Sequence, residues 1–173
     1  MNSLLQAIVN VAGLLPALTS LLVIVAFLSG VWMFIRAMIA LARPTNSGNR
    51  VDTGYVTTHV VVGVCLISLG AIIYNLTATA FGSGQVNRAS EIFSYAPATV
   101  GAINDATTRT VITSIVAIIQ FVGLIAIIRS LFMFSAYSKQ AIRTVGPAIT
   151  FLISGVLAMN FPRVVGAFSA LFA

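Results

Sequence analysis

Ile149–Phe161, read as Ile-Thr-Phe-Leu-Ile-Ser-Gly-Val-Leu-Ala-Met-Asn-Phe, lies inside a long apolar run and carries no charged side chain. The stretch nevertheless contains the small pair Ser154-Gly155 and the amide Asn160, just before Pro162. Small residues allow membrane helices to approach closely, and an amide in an apolar environment needs a hydrogen-bond partner. The stretch therefore predicts a helix-packing face inside a membrane assembly.

The composition places the chain in the membrane class. Hydrophobic residues make up 59% of the 173 residues and charged residues only 7%, with a mean hydropathy of +1.06. A typical soluble domain carries about 25% charged residues. The net charge of +6 would suggest nucleic-acid binding in a soluble protein, but here the basic residues are scattered along the chain. We interpret the positive charge as a determinant of orientation and a means of contacting anionic phospholipid.

The apolar runs predict an all-α polytopic membrane protein with about four long helices in two hairpins. Each run is long enough to cross a bilayer, since about 20 apolar residues suffice. Polar side chains at helical spacing near the N-terminus predict a short amphipathic helix, and Pro16 suits the first turn of the following span. The expected organisation is an amphipathic helix at 1–15, a first hairpin at 16–81, a polar extramembrane segment at 82–109 and a second hairpin at 110–173.

Two further expectations concern processing and the polar segment. The first 15 residues contain no lysine or arginine, so they lack the basic region of a secretory signal, and we expect residues 1–42 to be retained. Within 82–109, Asn87–Tyr95 is expected to form a short helix that ends before Ala96-Pro97.

The two halves of the chain resemble each other. Gly70 and Asn75 in the second run parallel Gly155 and Asn160 in the fourth, at an offset of 85 residues. Arg36 and Arg129 also correspond, but at an offset of 93, so insertions in the connections would be needed. If the repeat holds, each unit is a helical hairpin and the two units are parallel.

The distribution of charge predicts an orientation. The connections at 43–54 and 138–143 carry net positive charge, whereas 82–109 together is neutral. By the positive-inside rule, the first and third connections are expected in the cytoplasm, which places both termini in the periplasm.

Three arginines are embedded in apolar sequence, and two interpretations of them stay open. They either extend to lipid phosphates at the membrane surface, or they line a shared pore or hold a bound lipid phosphate. Arg36 and Arg129 lie near the ends of their spans and can extend to lipid phosphates, whereas Arg163 follows a proline and is the better candidate for facing a lumen or a lipid head group. The predicted helix-packing residues are small or amide residues inside the spans: Ala26, Gly30, Gly70, Asn75, Ser154, Gly155 and Asn160.

Chemistry typical of enzymes and metal proteins is missing from the sequence. There is no catalytic triad arrangement, no phosphate-binding glycine loop and no zinc-ligand spacing, so we expect neither catalysis nor a cofactor other than phospholipid. The single histidine, His59, is expected at the water interface. The single cysteine, Cys65, is expected to be a small apolar residue.

The segment Thr150–Asn160 resembles a motif of small inner-membrane proteins from type IVB secretion and conjugal-transfer systems, the Dot/Icm DotE/IcmC-like proteins and their I-type plasmid relatives. Their pattern is Thr-His-Ile-Ile-Gly-Gly-Val-Leu-Ala-Ile-Asn; here Phe151 replaces the histidine and Ser154 the first glycine. The resemblance covers about a dozen residues. It implies a bacterial inner-membrane subunit of a machine that moves DNA or protein between cells.

The function predicted from these features is structural. The chain is expected to assemble with its own copies, with phospholipids and with other apparatus subunits into a conduit, one form of which is a pilus. Transported DNA or protein would be contacted only indirectly. Two alternatives stay open: a stand-alone small channel or transporter, and an accessory scaffold that binds a partner through 82–109.

Overall fold

The computed structural model describes residues 2–42, 53–95, 105–137 and 145–171, and within these ranges the regular structure is helical, with no strand. Seven α-helices are present in the described residues: α1 Asn2–Ala42, α2 Thr53–Ile67, α3 Leu69–Phe81, α4 Ile92–Tyr95, α5 Ala106–Tyr137, α6 Gly146–Met159 and α7 Phe161–Leu171. A 3-10 turn, Ala89–Glu91, precedes α4.

The N-terminal part of the chain differs from the sequence prediction. Residues 2–15 do not form a separate helix, because α1 continues through Pro16 without a break. A proline removes one backbone hydrogen bond from a helix interior, but its fixed φ is helical. The hydroxyl of Ser20 donates to the Pro16 carbonyl over 3.1 Å, so that carbonyl gains an additional donor.

Two helices, α1 and α5, are long and apolar enough to cross a membrane individually. The other two expected spans are each broken into a helix pair. The α2–α3 pair bends by 88° and the α6–α7 pair by 84°. The part of the chain that the structure describes therefore contains two spans, or up to four if each bent pair counts as one. The second and fourth long apolar helices expected from hydropathy are therefore each present as two shorter helices joined at a bend.

The helix ends follow local sequence chemistry. Asp105 caps α5, since its carboxylate accepts hydrogen bonds from the Thr108 amide at 3.1 Å and from the Thr108 hydroxyl. Gly82 ends α3 in the left-handed conformation at φ 72°, and its amide donates to the Ala78 carbonyl over 2.8 Å. Pro147 lies in the first turn of α6.

The polar segment is partly helical, as expected. After an extended stretch, the 3-10 turn and α4 cover Ala89–Tyr95. The side chain of Tyr95 packs against Gly166 of α7, where an added Cβ would lie 3.0 Å from the Tyr95 Cβ. This contact fixes α4 on the end of the second hairpin.

The helices pack as two antiparallel hairpins, α1 with α2 and α5 with α6. The long helices α1 and α5 contact each other and run parallel, since Leu5 and Ala106 line one groove and Thr19 and Leu124 line the next. The shared core contains Leu66 and Ile127, which are almost completely buried. Because the hairpins are parallel, the C-terminal ends of α1 and α5 and the N-terminal ends of α2 and α6 lie at the same end of the bundle.

Candidate functional site

Each hairpin crosses at a pair of glycines. A Cβ added to Gly30 would lie 2.8 Å from the Gly63 carbonyl oxygen, and one added to Gly63 would lie 2.9 Å from the Gly30 carbonyl oxygen. In the second hairpin, Gly123 and Gly155 meet in the same reciprocal way, with both distances 2.8 Å. Real Cβ atoms do not approach a carbonyl oxygen so closely, so any side chain at these four positions would push the helices apart.

The glycine crossings give the repeat a different register from the sequence alignment. Gly123 corresponds to Gly30 at the offset of 93 already seen for Arg36 and Arg129, and Gly155 corresponds to Gly63 at an offset of 92. The proposed match of Gly70 and Asn75 with Gly155 and Asn160 is therefore wrong. The offsets of 93 and 92 residues differ by a single residue, so no large insertion is needed to align the two hairpins.

Local hydrogen bonds repeat in this register. Thr58 and Thr150, one turn after the start of α2 and α6, donate to the carbonyls of Gly54 and Gly146 at 2.8 and 3.0 Å. At the two bends, the Ser68 hydroxyl donates to the Val64 carbonyl at 2.7 Å, and the Asn160 amide donates to the Val156 carbonyl at 3.0 Å. A side chain that bonds to the carbonyl four residues earlier competes with the helix ladder and promotes bending.

The second bend has an additional cause. Pro162 has no amide hydrogen and could not donate to the Ala158 carbonyl, and a residue that precedes proline is disfavoured in helical conformation. The chain therefore leaves the helix at Asn160, which has φ −105° and ψ 29°.

A buried polar cluster surrounds the second bend, and we call it the bend cluster: Thr77, Ser83, Asn87, Gln120, Asn160 and Arg163. Asn160 is fully buried and donates to the Thr77 hydroxyl of α3 over 3.2 Å. Gln120 of α5 donates to the carbonyls of Asn87 and Met159 at 2.6 and 2.9 Å. These bonds connect the second bend to α3, α5 and the polar segment.

Three oxygen atoms of the bend cluster are buried without a hydrogen-bond partner among the described residues: Ser83 Oγ, Asn87 Oδ1 and Asn160 Oδ1. The Asn160 amide orientation is fixed, because its nitrogen donates to the Val156 carbonyl. Unpaired buried acceptors are costly, and a bound water or a donor from another molecule would satisfy them. The bend cluster is thus polar and structurally connected, but it contains no arrangement for covalent catalysis.

Arg163 lies at the edge of the bend cluster and is only partly exposed. Its guanidinium donates to the Ser83 carbonyl at 3.4 Å. Hydrogen bonds from the Asn87 side chain and then from Arg163 lower the pKa of the nearby Tyr95 phenol from its usual value. Arg163 is therefore held against the polar segment.

Arg36 and Arg129 occupy equivalent positions but contact different aromatic rings. The Arg36 guanidinium lies 5.2 Å from the centre of the Trp32 ring on its own helix, and that of Arg129 lies 4.9 Å from the Phe151 ring of α6. Both side chains are exposed at the surface of the chain. This exposure is compatible with contact to lipid phosphate or to another subunit.

The predicted packing residues fall into two groups. Ala26, Gly30, Gly155 and Asn160 are buried between helices of the chain. Gly70, Asn75 and Ser154 are exposed; a Cβ at Gly70 would meet no atom within 4 Å, and the Ser154 hydroxyl donates to the Thr150 carbonyl of its own helix. Among the described residues, Gly70, Asn75 and Ser154 are therefore not buried between helices as the other four are.

Sequence reasoning missed Gly63 and Gly123, which complete the two crossings, and Gln120 and Thr77, which complete the bend cluster. A signal for Gly123 was present in the sequence, because Gly123 precedes Arg129 by the same spacing by which Gly30 precedes Arg36. The polar contacts had no such signal, since Asn160 and Thr77 are 83 residues apart.

His59 lies inside the chain. It is buried with 3% of its surface exposed, and its Nδ1 lies 2.9 Å from the Tyr55 carbonyl oxygen one turn earlier. The ring also packs on that of Tyr55, at 3.9 Å between centroids. Among the described residues, no three histidine, cysteine or acidic side chains are grouped so that they could hold a metal.

Comparison with known proteins gives no relative: no family model matches the chain, and no curated protein or solved structure matches it.

Proposed function

We propose that this chain is a structural membrane subunit of a bacterial conjugative or type IVB secretion apparatus. In this proposal it assembles with its own copies, with phospholipid and with other apparatus subunits into a conduit through which DNA or protein is transferred. A pilus extracted from the inner membrane is one form of such an assembly. The motif at Thr150–Asn160 suggests the class of machine, and the physical argument for assembly comes from α1.

The observation that carries the proposal is the length of the exposed apolar surface of α1. Its apolar part runs from Leu5 to Ala42, 38 residues, of which few are buried inside the chain. At about 1.5 Å per residue this part is about 57 Å long. A bilayer core is about 30 Å thick, and even a tilt of about 40° accommodates only about 39 Å of helix. Lipid in one flat bilayer therefore leaves apolar helix uncovered, and copies of the same chain would cover it.

The exposed arginines support phospholipid as a component. Arg36 and Arg129 lie on the surface of otherwise apolar helices, and the described spans contain no acidic side chain that could neutralise them. A charge in an apolar environment needs a partner, and the phosphate of an anionic lipid is one that a membrane supplies. The chain's overall charge of +6 favours the same partner.

The proposed topology has four crossings with both termini in the periplasm. Helices α2 and α6 have 15 and 14 residues, about 22 and 21 Å, so each crosses most of a bilayer core before its bend. Helices α3 and α7 would then lie along the periplasmic interface beside the polar segment. The positive connections 43–54 and 138–143, which fall largely outside the described residues, would lie in the cytoplasm.

One observation favours a second candidate, a small channel or transporter. Broken helices in two parallel repeats, with a buried amide at one break, are features of some transporters. The bend cluster with its three unpartnered oxygens is where such a protein would contact a solute. Flux of small solutes through vesicles that contain only the purified chain would support this candidate and contradict a purely structural role.

The structural role is tested in a donor strain that lacks this chain. We expect loss of conjugal or effector transfer, restoration by the wild-type gene, and purification of the chain in gentle detergent as a multimer with bound phospholipid detectable by mass spectrometry. A monomer without lipid, together with normal transfer by the deletion strain, would overturn the proposal.

A further inference from the structure

An apolar stripe on α5 packs against the first hairpin. It follows one face of the helix at alternating spacings of four and three residues, as in helices that pack side by side. We call it the α5 stripe, and it consists of Ala117, Phe121, Leu124, Ile128 and Leu131. Leu124, Ile128 and Leu131 are 4–7% exposed and share one core cluster with Val62, Leu66 and Leu69. The first hairpin thus covers this stripe.

The same stripe exists on α1 but is uncovered. In the repeat register defined by the glycine crossings, the α5 stripe corresponds to the α1 stripe: Ile24, Leu28, Val31, Ile35 and Met38. Four of its residues, all except the partly buried Val31, are 59%, 60%, 44% and 47% exposed. Every residue is apolar and none is charged. The face of α1 therefore has the chemistry of its buried counterpart without a cover from the described residues.

The surface that covers the α5 stripe also has a free counterpart. Helix α2 contacts α5 directly, and Val62 and Leu66 of α2, together with Leu69 at the start of α3, provide that side of the core. Their equivalents in the second hairpin form, together with the neighbouring Leu157, the α6 face: Ser154, Leu157, Ala158 and Phe161. Ser154 and Leu157 are exposed and the other two are partly exposed. Each half of the internal interface is thus repeated once, unpaired, on the surface.

We infer that the α1 stripe of one copy docks on the α6 face of a second copy, in the arrangement that joins the two hairpins within one chain. The occupant is a second copy because the internal interface of this chain already joins such a stripe to a surface equivalent to the α6 face. A contact between two different surfaces of the same molecule leaves one of each free at the ends. Repetition of this contact therefore gives a ring or a helical filament of hairpins, and not a closed two-fold dimer.

This inference deepens the proposed function, on which it rests for the role of the assembly, although the contact itself can be tested separately. A conduit in a membrane or a pilus needs repeated subunits with unlike surfaces in contact. The internal repeat supplies both surfaces in one chain, so each added copy extends the array by two hairpins.

Cysteine cross-linking tests the contact directly. In a Cys65→Ala background, one tagged copy carries Met38→Cys on the α1 stripe, and a second, differently tagged copy carries Ala158→Cys on the α6 face. We expect a short bismaleimide to link the two tags in native membranes. The matched control is Ile39→Cys, one residue away. Ile39 is exposed to a similar extent, 52% against 47% for Met38, but its side chain points about 100° away from that of Met38 around the helix. Equal linking from both positions would contradict the contact.

A mixing experiment tests the direction of assembly. Leu28→Asn with Ile35→Asn impairs the α1 stripe, and Leu157→Asn impairs the α6 face. Ala158 is left unchanged in this experiment because its Cβ lies at the Gly123 crossing. Each purified variant should remain a monomer in detergent, whereas an equimolar mixture should form pairs of twice the monomer mass and nothing larger. Normal multimers from either variant alone would overturn the inference.

The two proposals can fail separately. If wild-type multimers form and transfer is supported, but Met38→Cys and Ala158→Cys do not link, the docking inference is wrong and the structural role stands. If the wild-type chain is a monomer in native membranes and transfer does not need it, both are wrong.

Discussion

The two hairpins of this chain share a glycine crossing and a local hydrogen bond at each bend, but they differ in the burial of the bend and in its contacts with other helices. Both cross at reciprocal glycine pairs, Gly30 with Gly63 and Gly123 with Gly155. At the first bend, the Ser68 hydroxyl donates to the Val64 carbonyl one turn earlier, whereas at the second, the buried Asn160 side chain also bonds to Thr77 of α3. A crossing requires only small residues on two adjacent helices, but a buried bend requires partners from elsewhere in the chain. The glycine crossing thus depends on contacts within one hairpin, whereas the buried second bend depends on a contact with a helix outside its own hairpin.

The largest expected effect breaks what the hairpins have in common. Gly155→Leu places a side chain against the Gly123 carbonyl and should separate α5 from α6, at a cost of more than about 3 kcal/mol, at the upper end of overpacking effects. Gly63→Leu should do the same to the first hairpin. The control is Gly70→Leu, in open space on α3, which should be neutral or slightly stabilising. Thermal unfolding in detergent measures all three, and equal losses at positions 70 and 155 would contradict the crossing.

The next effect sharpens the difference between the bends. Asn160→Ala removes a buried amide that bonds to Thr77 and Val156, and should destabilise the chain by about 1–3 kcal/mol. Ser68→Ala removes only a local bond and should change stability by less than about 0.5 kcal/mol. Thermal unfolding of the two variants under identical conditions makes the comparison. A larger loss of stability in Ser68→Ala than in Asn160→Ala would contradict the stronger role assigned to the second bend.

A smaller effect concerns Gln120, whose counterpart in α1 is Phe27. Gln120→Leu leaves the carbonyls of Asn87 and Met159 without that donor, which should cost about 1 kcal/mol. Amide hydrogen exchange in the 3-10 turn and α4 should then accelerate about fivefold. Gln6→Leu, on the exposed surface of α1, is the control and should leave that exchange unchanged. No change in the Gln120 variant would mean that the amide does not hold the polar segment.

The smallest expected effect depends on pH and occurs only at α5. The Thr108 hydroxyl, then the amides of Thr108 and Thr107, hold the pKa of Asp105 below its usual value. The cap therefore contributes fully above the unfolded pKa and is lost as the pH falls through the lowered folded pKa. The protection of the Thr107 and Thr108 amides from hydrogen exchange, relative to the intrinsic exchange rate at each pH, should decrease over that acidic range. Asp105→Asn should remove this pH dependence, and an unchanged profile in the variant would contradict the assignment.

Several features of the fold could be read from the sequence because they depend on local chemistry. The apolar composition predicted helices for a membrane, and the residues Asn87–Tyr95 predicted a short helix before Ala96-Pro97. The helical class and the presence of membrane-length helices are confirmed. The expected separate helix at 1–15 was wrong, since one proline does not outweigh a long helical sequence on both sides of it.

The sequence by itself determined that this chain is helical and apolar, because composition and residue spacing act over a few turns. Only the tertiary structure decided the register of the repeat, since Gly30 identifies its partner by a contact with Gly63 that hydropathy cannot encode. It also decided that Asn160 meets Thr77 and that the α5 stripe is covered while the α1 stripe is exposed. These differences arise between nearly equivalent sequences, because burial depends on which neighbour a helix has and not on the helix alone.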